Sequence, residues 1–299
     1  MKRPVFFVLL LCFGFQFTSS QEWMTNLGIA QRLAQVQNKM VLMVWEESTQ
    51  YQYPVYVYNQ KGNKVLIYNL FEDEEISPLI WEHFVPVIVS EYEYEKWYNK
   101  LKGKRSLAYM NKFNDDSIKI LDINGNILNV TSFTDEIQNV SKIIQKYSLN
   151  TAFMQSELET YKNEKSFYSA YFLASKYLDM SLYLHRDARK EIVKLSDIYL
   201  KEAVGFVGDE KEADKDVLKQ RCVLLEIQQS LYLKRPKRVI RRLKKMKEKD
   251  VLESNKPFVA FLYYTAYMSL KESEKAEAWK SDISSLNLKK AELLINLNS

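Results

Sequence analysis

The sequence is poor in cysteine, histidine, glycine and proline. Its 299 residues include two cysteines, two histidines, seven glycines and six prolines. Few glycines and prolines argue against an all-β sandwich and against a disordered linker protein, while 46% apolar residues indicate a packed globule. Two histidines and so few cysteines argue against a structural zinc site. We therefore predict no catalytic, metal-binding or cofactor-binding residues.

The first twenty residues have the pattern of a secretory signal peptide. Two basic residues precede an apolar run of about thirteen residues, which is shorter than the roughly twenty that a membrane-spanning helix needs. The small residues Thr18 and Ser20 then suit cleavage before Gln21. We expect residues 1–20 to be removed and the mature protein to be periplasmic or secreted, of bacterial origin, and not integral to a membrane.

Cys222 is the only cysteine that remains once such a signal is removed. One thiol cannot form a disulfide within its own chain. Because its surroundings have an amphipathic helical pattern and neither His83 nor His185 is near in sequence, a buried structural thiol is favoured. The alternative is a thiol-disulfide-type enzyme that uses Cys222 between molecules.

Residues 21–149 alternate between helical and strand patterns. An Asn-Gly turn at Asn124 and Gly125 between two apolar runs predicts a β-hairpin. Thr134 or Asp135 could cap a closing helix. The predicted elements are, in order, a helix over 27–37, a buried strand over 40–45, a helix from about 73, a strand over 84–90, hairpin strands over 117–121 and 127–130, and the closing helix.

This order and several local motifs resemble exported thioredoxin-like proteins of the Bacteroidetes type. Trp23, a helix, the dipeptide Asn38-Lys39 and an apolar strand are similar to the opening of that family. The stretch 117–126 is similar to the family's strand, aspartate, turn glycine and next strand. The resemblance covers residues 22–148 and implies an α/β thioredoxin-like domain over 21–149.

The departures from the family concern its chemistry. The positions of the family's Cys-x-x-Cys fall near Gln50 and Tyr53, neither of which can form a thiolate. The family's cis-proline aligns with Asp116, where we expect a trans peptide because a cis bond without proline costs about 3 kcal/mol. The resemblance therefore implies a degenerate, redox-inactive site.

Two alternating strands within 55–68 replace the long helix that follows the active site in that family. Tyrosines precede and line the first of them and could form an aromatic face for a partner. The alternative is that they pack against the domain's own sheet. The candidate partner-binding tyrosines are Tyr51, Tyr53, Tyr56 and Tyr58.

Residues 150–299 have helical periodicity throughout, with short joints. The net charge also changes, from −3 over residues 21–150 to +6 over 151–299. Small and aromatic residues in 257–267, followed by 275–279, resemble a tetratricopeptide-type helix pair, although no 34-residue period is sustained. We predict an all-α domain of helical hairpins, tetratricopeptide-like, over 150–299.

The most unusual local feature is the segment 234–249, with ten basic residues in sixteen. One apolar stripe runs through it, so we predict one helix with a cationic outer face. That face could bind an anionic lipid or a glycan, or it could simply be solvated. Export and the lack of interleaved aromatics argue against nucleic acid. The candidate binding residues are Lys237, Arg238, Arg241, Arg242, Lys244 and Lys245.

Together these patterns predict a non-catalytic, exported thioredoxin-fold protein that serves as a protein-interaction or scaffold module. Two alternatives remain at the level of sequence. One is the thiol enzyme using Cys222, and the other is an envelope-surface binder using the basic helix 234–249.

Overall fold

A computed structural model describes residues 22–129, 137–246 and 250–299. It is a mixed α/β structure in which two small three-stranded sheets with their helices are followed by a series of helices. The predicted signal peptide and the proposed caps Thr134 and Asp135 lie outside the described residues.

The central sheet is built from β1 (Met40–Trp45), β4 (Phe84–Val89) and β5 (Lys119–Leu121), in the order β4-β1-β5. β4 runs parallel to β1, and β5 runs antiparallel to it. Single bridges extend the sheet at each edge, where Met24 pairs parallel with Val87 and Leu121 pairs antiparallel with Ile127. The apolar runs predicted as buried strands are therefore confirmed in β1 and β4, because both faces of the sheet are covered.

The returning strand predicted over 127–130 is wrong over the part that the structure describes, 127–129, while Val130 lies outside the described residues. Ile127 forms only an isolated bridge with Leu121, although the Leu128 amide still donates to the Ile120 carbonyl at 2.8 Å. Beyond it the Asn129 side chain replaces the backbone ladder, accepting from the Ile120 amide at 2.6 Å and donating to the Ile118 carbonyl at 2.8 Å. The predicted strand over 117–121 is correspondingly short, since β5 begins at Lys119.

The second sheet contains the predicted hairpin. Its strands are β2 (Val55–Tyr58), β3 (Lys64–Ile67) and β6 (Gln138–Asn139), in the order β3-β2-β6. β2 is antiparallel to β3 and parallel to β6. Gly62 has a φ of +77°, a conformation that suits glycine and closes the hairpin.

Within residues 22–129 and 137–149, five helices accompany the sheets. α1 covers the predicted range and is capped by the Asn26 side chain, which accepts from the Ile29 amide at 2.9 Å. The closing helix α5 begins later than predicted, with Asn139 as its cap. These helices are α1 (Leu27–Gln37), α2 (Ile76–His83), α3 (Glu91–Leu101), α4 (Leu107–Phe113) and α5 (Val140–Tyr147).

The rest of the described chain is helical, as the periodicity predicted. α7 packs extensively against α8, and α11 packs against α10, α12 and α13. The helices are α6 (Gln155–Asn163), α7 (Phe167–Ser181), α8 (Arg186–Phe206), α9 (Glu212–Tyr232), α10 (Pro236–Lys245), α11 (Lys256–Ser269), α12 (Ser273–Lys280) and α13 (Ser285–Asn298).

A polar network joins the sheets to the helices. Arg105, between α3 and α4, donates to Asn126 at 3.0 Å and forms an ion pair of 2.7 Å with Glu202 on α8. The hydroxyl of Tyr161 on α6 donates to the same carboxylate. Since the buried apolar residues on both sides also form one continuous cluster, the two parts pack as one body.

Candidate functional site

The parallel strands β1 and β4 end at the same edge of the central sheet, where ligands commonly bind in open α/β sheets. Trp45, the last residue of β1, donates from Nε1 to Glu91 at the start of α3 at 2.9 Å. Its ring also stacks on Tyr94, with centroids 5.6 Å apart. The hydroxyl of Tyr94 in turn donates to the Phe113 carbonyl. Aromatic side chains therefore cover this edge.

The loop after β1 carries Gln50 and Tyr53, the two positions that the sequence resemblance compares with a Cys-x-x-Cys. Gln50 is exposed, whereas Tyr53 is turned inward and its ring lies 5.8 Å from that of Phe71. The Tyr53 hydroxyl donates to Gln138 Oε1 at 3.1 Å and lies 3.5 Å from the Asp116 carbonyl. Burial raises the pKa of Tyr53, so the phenol stays protonated and acts as a hydrogen-bond donor.

Lys119 is a buried amine at the same edge, with 2% of its surface exposed. It donates to the carbonyl of Asp115, and to that of Ser117 at 3.4 Å. Burial lowers the pKa of Lys119 to about 8, against the opposing effect of the nearby carboxylates of Asp115 and Asp116. An amine with this pKa could act as a base, but its burial keeps it from a substrate. No cis peptide bond occurs in the described part of the chain, so the bond before Asp116 is trans, as expected.

The four candidate tyrosines do not share one surface. Tyr51 and Tyr58 are exposed, and Tyr53 packs inward. Tyr56 is half-buried, with the Lys64 amine 3.5 Å from its ring centroid. Along β2 the valines point into the core, and Tyr56 and Tyr58 point to the opposite face. Tyr51 and Tyr53 precede β2, so packing of the loop and not this alternation decides their exposure.

The basic helix α10 presents its cations outward. Val239 and Leu243 are buried, which confirms the predicted apolar stripe. Of the six candidate cations, Arg242 forms an ion pair with Glu226 at 2.9 Å. The other five are exposed and have no carboxylate within 4.0 Å among the residues that the structure describes: Lys237, Arg238, Arg241, Lys244 and Lys245. The helix ends at Lys245, and residues 247–249 of the predicted segment lie outside the described residues.

An exposed aromatic ridge on α7 was missed by the sequence analysis. Tyr168 and Phe172 lie one turn apart, are 48% and 55% exposed, and stack with centroids 6.2 Å apart. Lys176 follows one turn later, with its amine 4.4 Å from the ring centroid of Phe153, which is itself half-exposed. Tyr168, Phe172 and Lys176 are spaced four residues apart and lie outside the predicted core stripe, and this spacing in the sequence could have indicated a shared outer face. We call these three residues, together with Phe153, the α7 ridge.

Cys222 lies within α9 and is 3% exposed. Burial raises the pKa of its thiol to about 11, so the thiolate is scarce at neutral pH. Tyr171 and Arg221 lie beside it, but neither lowers that pKa. The geometry is that of a structural thiol.

A cavity of about 520 Å³ opens between α1, α3 and the helical part, beside the turn at Asn124 and Gly125. Its wall combines cations with the acids Glu93 and Glu202. Because Arg105 is already paired with Glu202, this cavity has mixed charge and no convergent catalytic pair. The lining cations are Lys96, Lys100, Lys104, Arg105 and Lys165.

Within residues 22–129, 137–246 and 250–299, no group of three or more histidine, cysteine, aspartate or glutamate side chains is placed to hold a metal ion. Across the same ranges, no helix has both the length and the apolar character required to cross a bilayer. Comparison of the chain with protein-family models, with curated proteins and with solved structures gave no match.

Proposed function

We propose that this is an exported, non-catalytic protein-binding scaffold, with a redox-inactive thioredoxin-like part followed by tetratricopeptide-like helical hairpins. The sheet order supports the first half of this proposal. From one edge to the other, the central sheet contains Met24, β4, β1, β5 and Ile127. The first two pairings in this order are parallel, and the last two are antiparallel. This is the strand order of a thioredoxin-like sheet, with the β2–β3 hairpin in place of the helix that would follow the active site.

The observation that carries the non-catalytic proposal is the inward position of Tyr53. Where the family has an attacking thiolate and a resolving thiol, this chain has an exposed amide at Gln50 and a phenol bonded to Gln138. Thiol exchange needs both thiols and access to them. A thiol enzyme that uses Cys222 between molecules is also disfavoured, because Cys222 is buried and lies in α9, outside the sheet part.

The α7 ridge is the surface that we assign to a protein partner. Rigid aromatic side chains dominate the energetics of protein interfaces because they bury a large area with little loss of side-chain entropy. Tyr168 and Phe172 stand on a helix whose other face is anchored in the core by Phe167, Tyr171 and Tyr177. Their positions are therefore held before a partner binds, which lowers the cost of ordering an interface.

Photo-crosslinking in the native bacterium tests this proposal. A photoreactive phenylalanine analogue is placed at Tyr168, at Phe172 or, as the matched control, at Tyr183, which is exposed at 72% but lies outside the ridge. We expect one and the same partner from the two ridge positions and not from Tyr183. Tyr168→Ala with Phe172→Ala should weaken binding of that partner by about tenfold or more. Equal labelling from Tyr183, or insulin reduction above background by the wild-type chain, would contradict the proposal.

The cationic face of α10 favours a second candidate, contact with an anionic lipid or glycan surface. Five exposed cations without carboxylate partners among the described residues lie on this one helix. Replacing Lys237, Arg238 and Arg241 by glutamine should weaken binding to anionic vesicles and reduce its dependence on salt. Unchanged binding would remove this candidate.

A further inference from the structure

A second cavity, of about 640 Å³, lies between α8 and the connection from α9 to α10. Its wall contains six cations and one carboxylate, that of Asp197. Asp197 is already engaged, because Lys201 forms an ion pair with it at 2.6 Å. The cations are Arg186, Arg189, Lys190, Lys194, Lys234 and Arg235. We call this the α8–α9 cavity.

Most of this positive charge is not neutralised within the described chain. Arg186, Lys234 and Arg235 have no carboxylate within 4.0 Å among the described residues. Lys190 has only a long contact of 3.9 Å with Asp187, and Lys194 pairs with Glu191 at 3.0 Å. The cavity therefore keeps a positive potential that attracts an anion.

Arg189 is a buried cation of the cavity wall that also lacks a carboxylate partner among the described residues. It is 9% exposed, and its guanidinium donates to the carbonyls of Ser181 at 3.0 Å and Leu184 at 2.8 Å. None of the described carboxylates lies within 4.0 Å of it. Buried charges in proteins are usually paired, so a guanidinium held by two neutral carbonyls still favours a negative partner.

Gln229 also lines the cavity and is 9% exposed. Its amide nitrogen Nε2 has no hydrogen-bond partner in the described structure, but this atom has almost no accessible surface. It therefore lies behind the cavity wall, and the inference rests on the cations.

The end of α9 fixes two of the cations at the cavity mouth. Lys234 adopts a φ of +57°, its amide donates to the Leu231 carbonyl at 3.1 Å, and the Arg235 amide donates to Ser230 at 2.8 Å. This is the Schellman pattern, in which glycine is the usual residue at the left-handed position. Lys234 and Arg235 are thus presented by a defined turn and not by a loose loop.

We propose that the α8–α9 cavity binds a phosphate-bearing anion, a role independent of the protein-binding function of the α7 ridge. Six cations line one cavity, an arrangement that suits a multiply charged tetrahedral group with oxygens in several directions. Guanidinium groups match such oxygens with paired hydrogen bonds. The group can belong to a soluble phosphate compound or to a lipid headgroup, and the two sources share this chemistry.

Titration calorimetry of the full chain with inorganic pyrophosphate tests the site. Arg186→Gln with Arg235→Gln, and separately Lys190→Gln with Lys234→Gln, should each raise the Kd roughly tenfold, as expected for loss of charge-assisted hydrogen bonds. The matched control is Lys61→Gln with Lys142→Gln, which removes two exposed charges from the sheet part, away from both the cavity and α10, and should leave the Kd unchanged. Thermal unfolding of each variant checks that the fold is retained.

Co-sedimentation with vesicles of phosphatidylglycerol and phosphatidylcholine distinguishes the sources. Saturable pyrophosphate binding that both cavity variants weaken supports a soluble ligand. Binding to anionic vesicles alone, weakened by the cavity variants and not by the control pair, supports a lipid headgroup. Absence of both, or equal weakening by the control pair, overturns the site and leaves the α7 ridge unaffected.

Discussion

The hydroxyl of Tyr199 on α8 donates a hydrogen bond to the carboxylate of Asp122, which lies 77 positions earlier at the end of β5. Tyr177 on α7 approaches the same carboxylate at 3.4 Å, and the backbone amide of Asn126 donates to it at 2.8 Å. Asp122 is fully buried, and this burial raises its pKa even though the bonds from Tyr199, Asn126 and Asn124 act to lower it. These contacts connect the turn over residues 122–126 of the sheet part to helices α7 and α8.

Asp122→Ala should destabilise the protein strongly. The substitution leaves the hydroxyl of Tyr199 and the amides of Asn124 and Asn126 without their acceptor in a buried site. Each unsatisfied group costs about 1 to 3 kcal/mol, so we expect the free energy of unfolding to fall by about 3 kcal/mol or more. Denaturant unfolding measures it. Asp122→Asn is the matched variant, because it keeps an acceptor oxygen and should cost less; equal losses for the two would contradict the role of the network.

Gly125→Ala should be more destabilising than Gly62→Ala. Both glycines have positive φ, +84° and +77°, so both substitutions carry the strain of a left-handed side chain, about 1 kcal/mol. At Gly125 the added Cβ would also lie 2.9 Å from Nε2 at the end of the flexible Gln31 side chain, which would have to move aside, and at an ordinary contact distance of 3.7 Å from the Trp97 ring. At Gly62 nothing lies within 4 Å, so the expected difference is small. Because both variants carry the same backbone strain, the difference between their midpoints of thermal unfolding measures the effect of the added Cβ contact at Gly125. Equal shifts would show that the turn is not tightly packed.

Lys119→Met should reduce the dependence of stability on pH between about 7.5 and 10. With its folded pKa lowered to about 8, Lys119 binds its proton less tightly in the folded than in the unfolded chain. Its burial therefore costs stability at neutral pH, and the cost disappears as pH rises through the folded value toward the unfolded one. Across this range the wild type should gain about 2 kcal/mol relative to the variant.

Urea unfolding of both proteins at several pH values checks this difference. The measurement stops at pH 10 because the buried tyrosines, with raised pKa values, act in the opposite direction above it. Parallel curves for wild type and variant would mean that Lys119 keeps its proton in the folded protein.

Much of the secondary structure could be predicted because its causes are local. The apolar run of β1 and the 3.6-residue spacing of α1 are properties of neighbouring residues, and both elements were predicted with the observed bounds. The prediction of a strand failed over 127–129 because Asn129 bonds to the backbone of Ile120 in β5 and of Ile118 just before it, a competition that hydrophobic pattern does not reveal. The start of α5 was missed for a similar reason, since Asn139 is both in β6 and the cap.

The candidate sites were less predictable because exposure depends on what packs where. The sequence pattern predicted that four tyrosines could form one binding face. In the structure Tyr53 packs inward, whereas Tyr51 and Tyr58 are exposed. The α7 ridge was not predicted because α7 has aromatic residues on several faces. Which of those faces is exposed depends on the neighbouring helices, and the sequence pattern does not show their positions.

By itself the sequence determined that one cysteine lies beyond residue 20, that residues 21–149 alternate strand and helix patterns, and that one helix is densely basic. Those properties follow from composition and from short-range periodicity. Only the tertiary structure decided that Asp122 meets Tyr199, that Cys222 is buried, and that Arg189 and Gln229 share a cavity wall. The physical reason is that burial and partnership depend on residues far apart in the chain, which packing brings together.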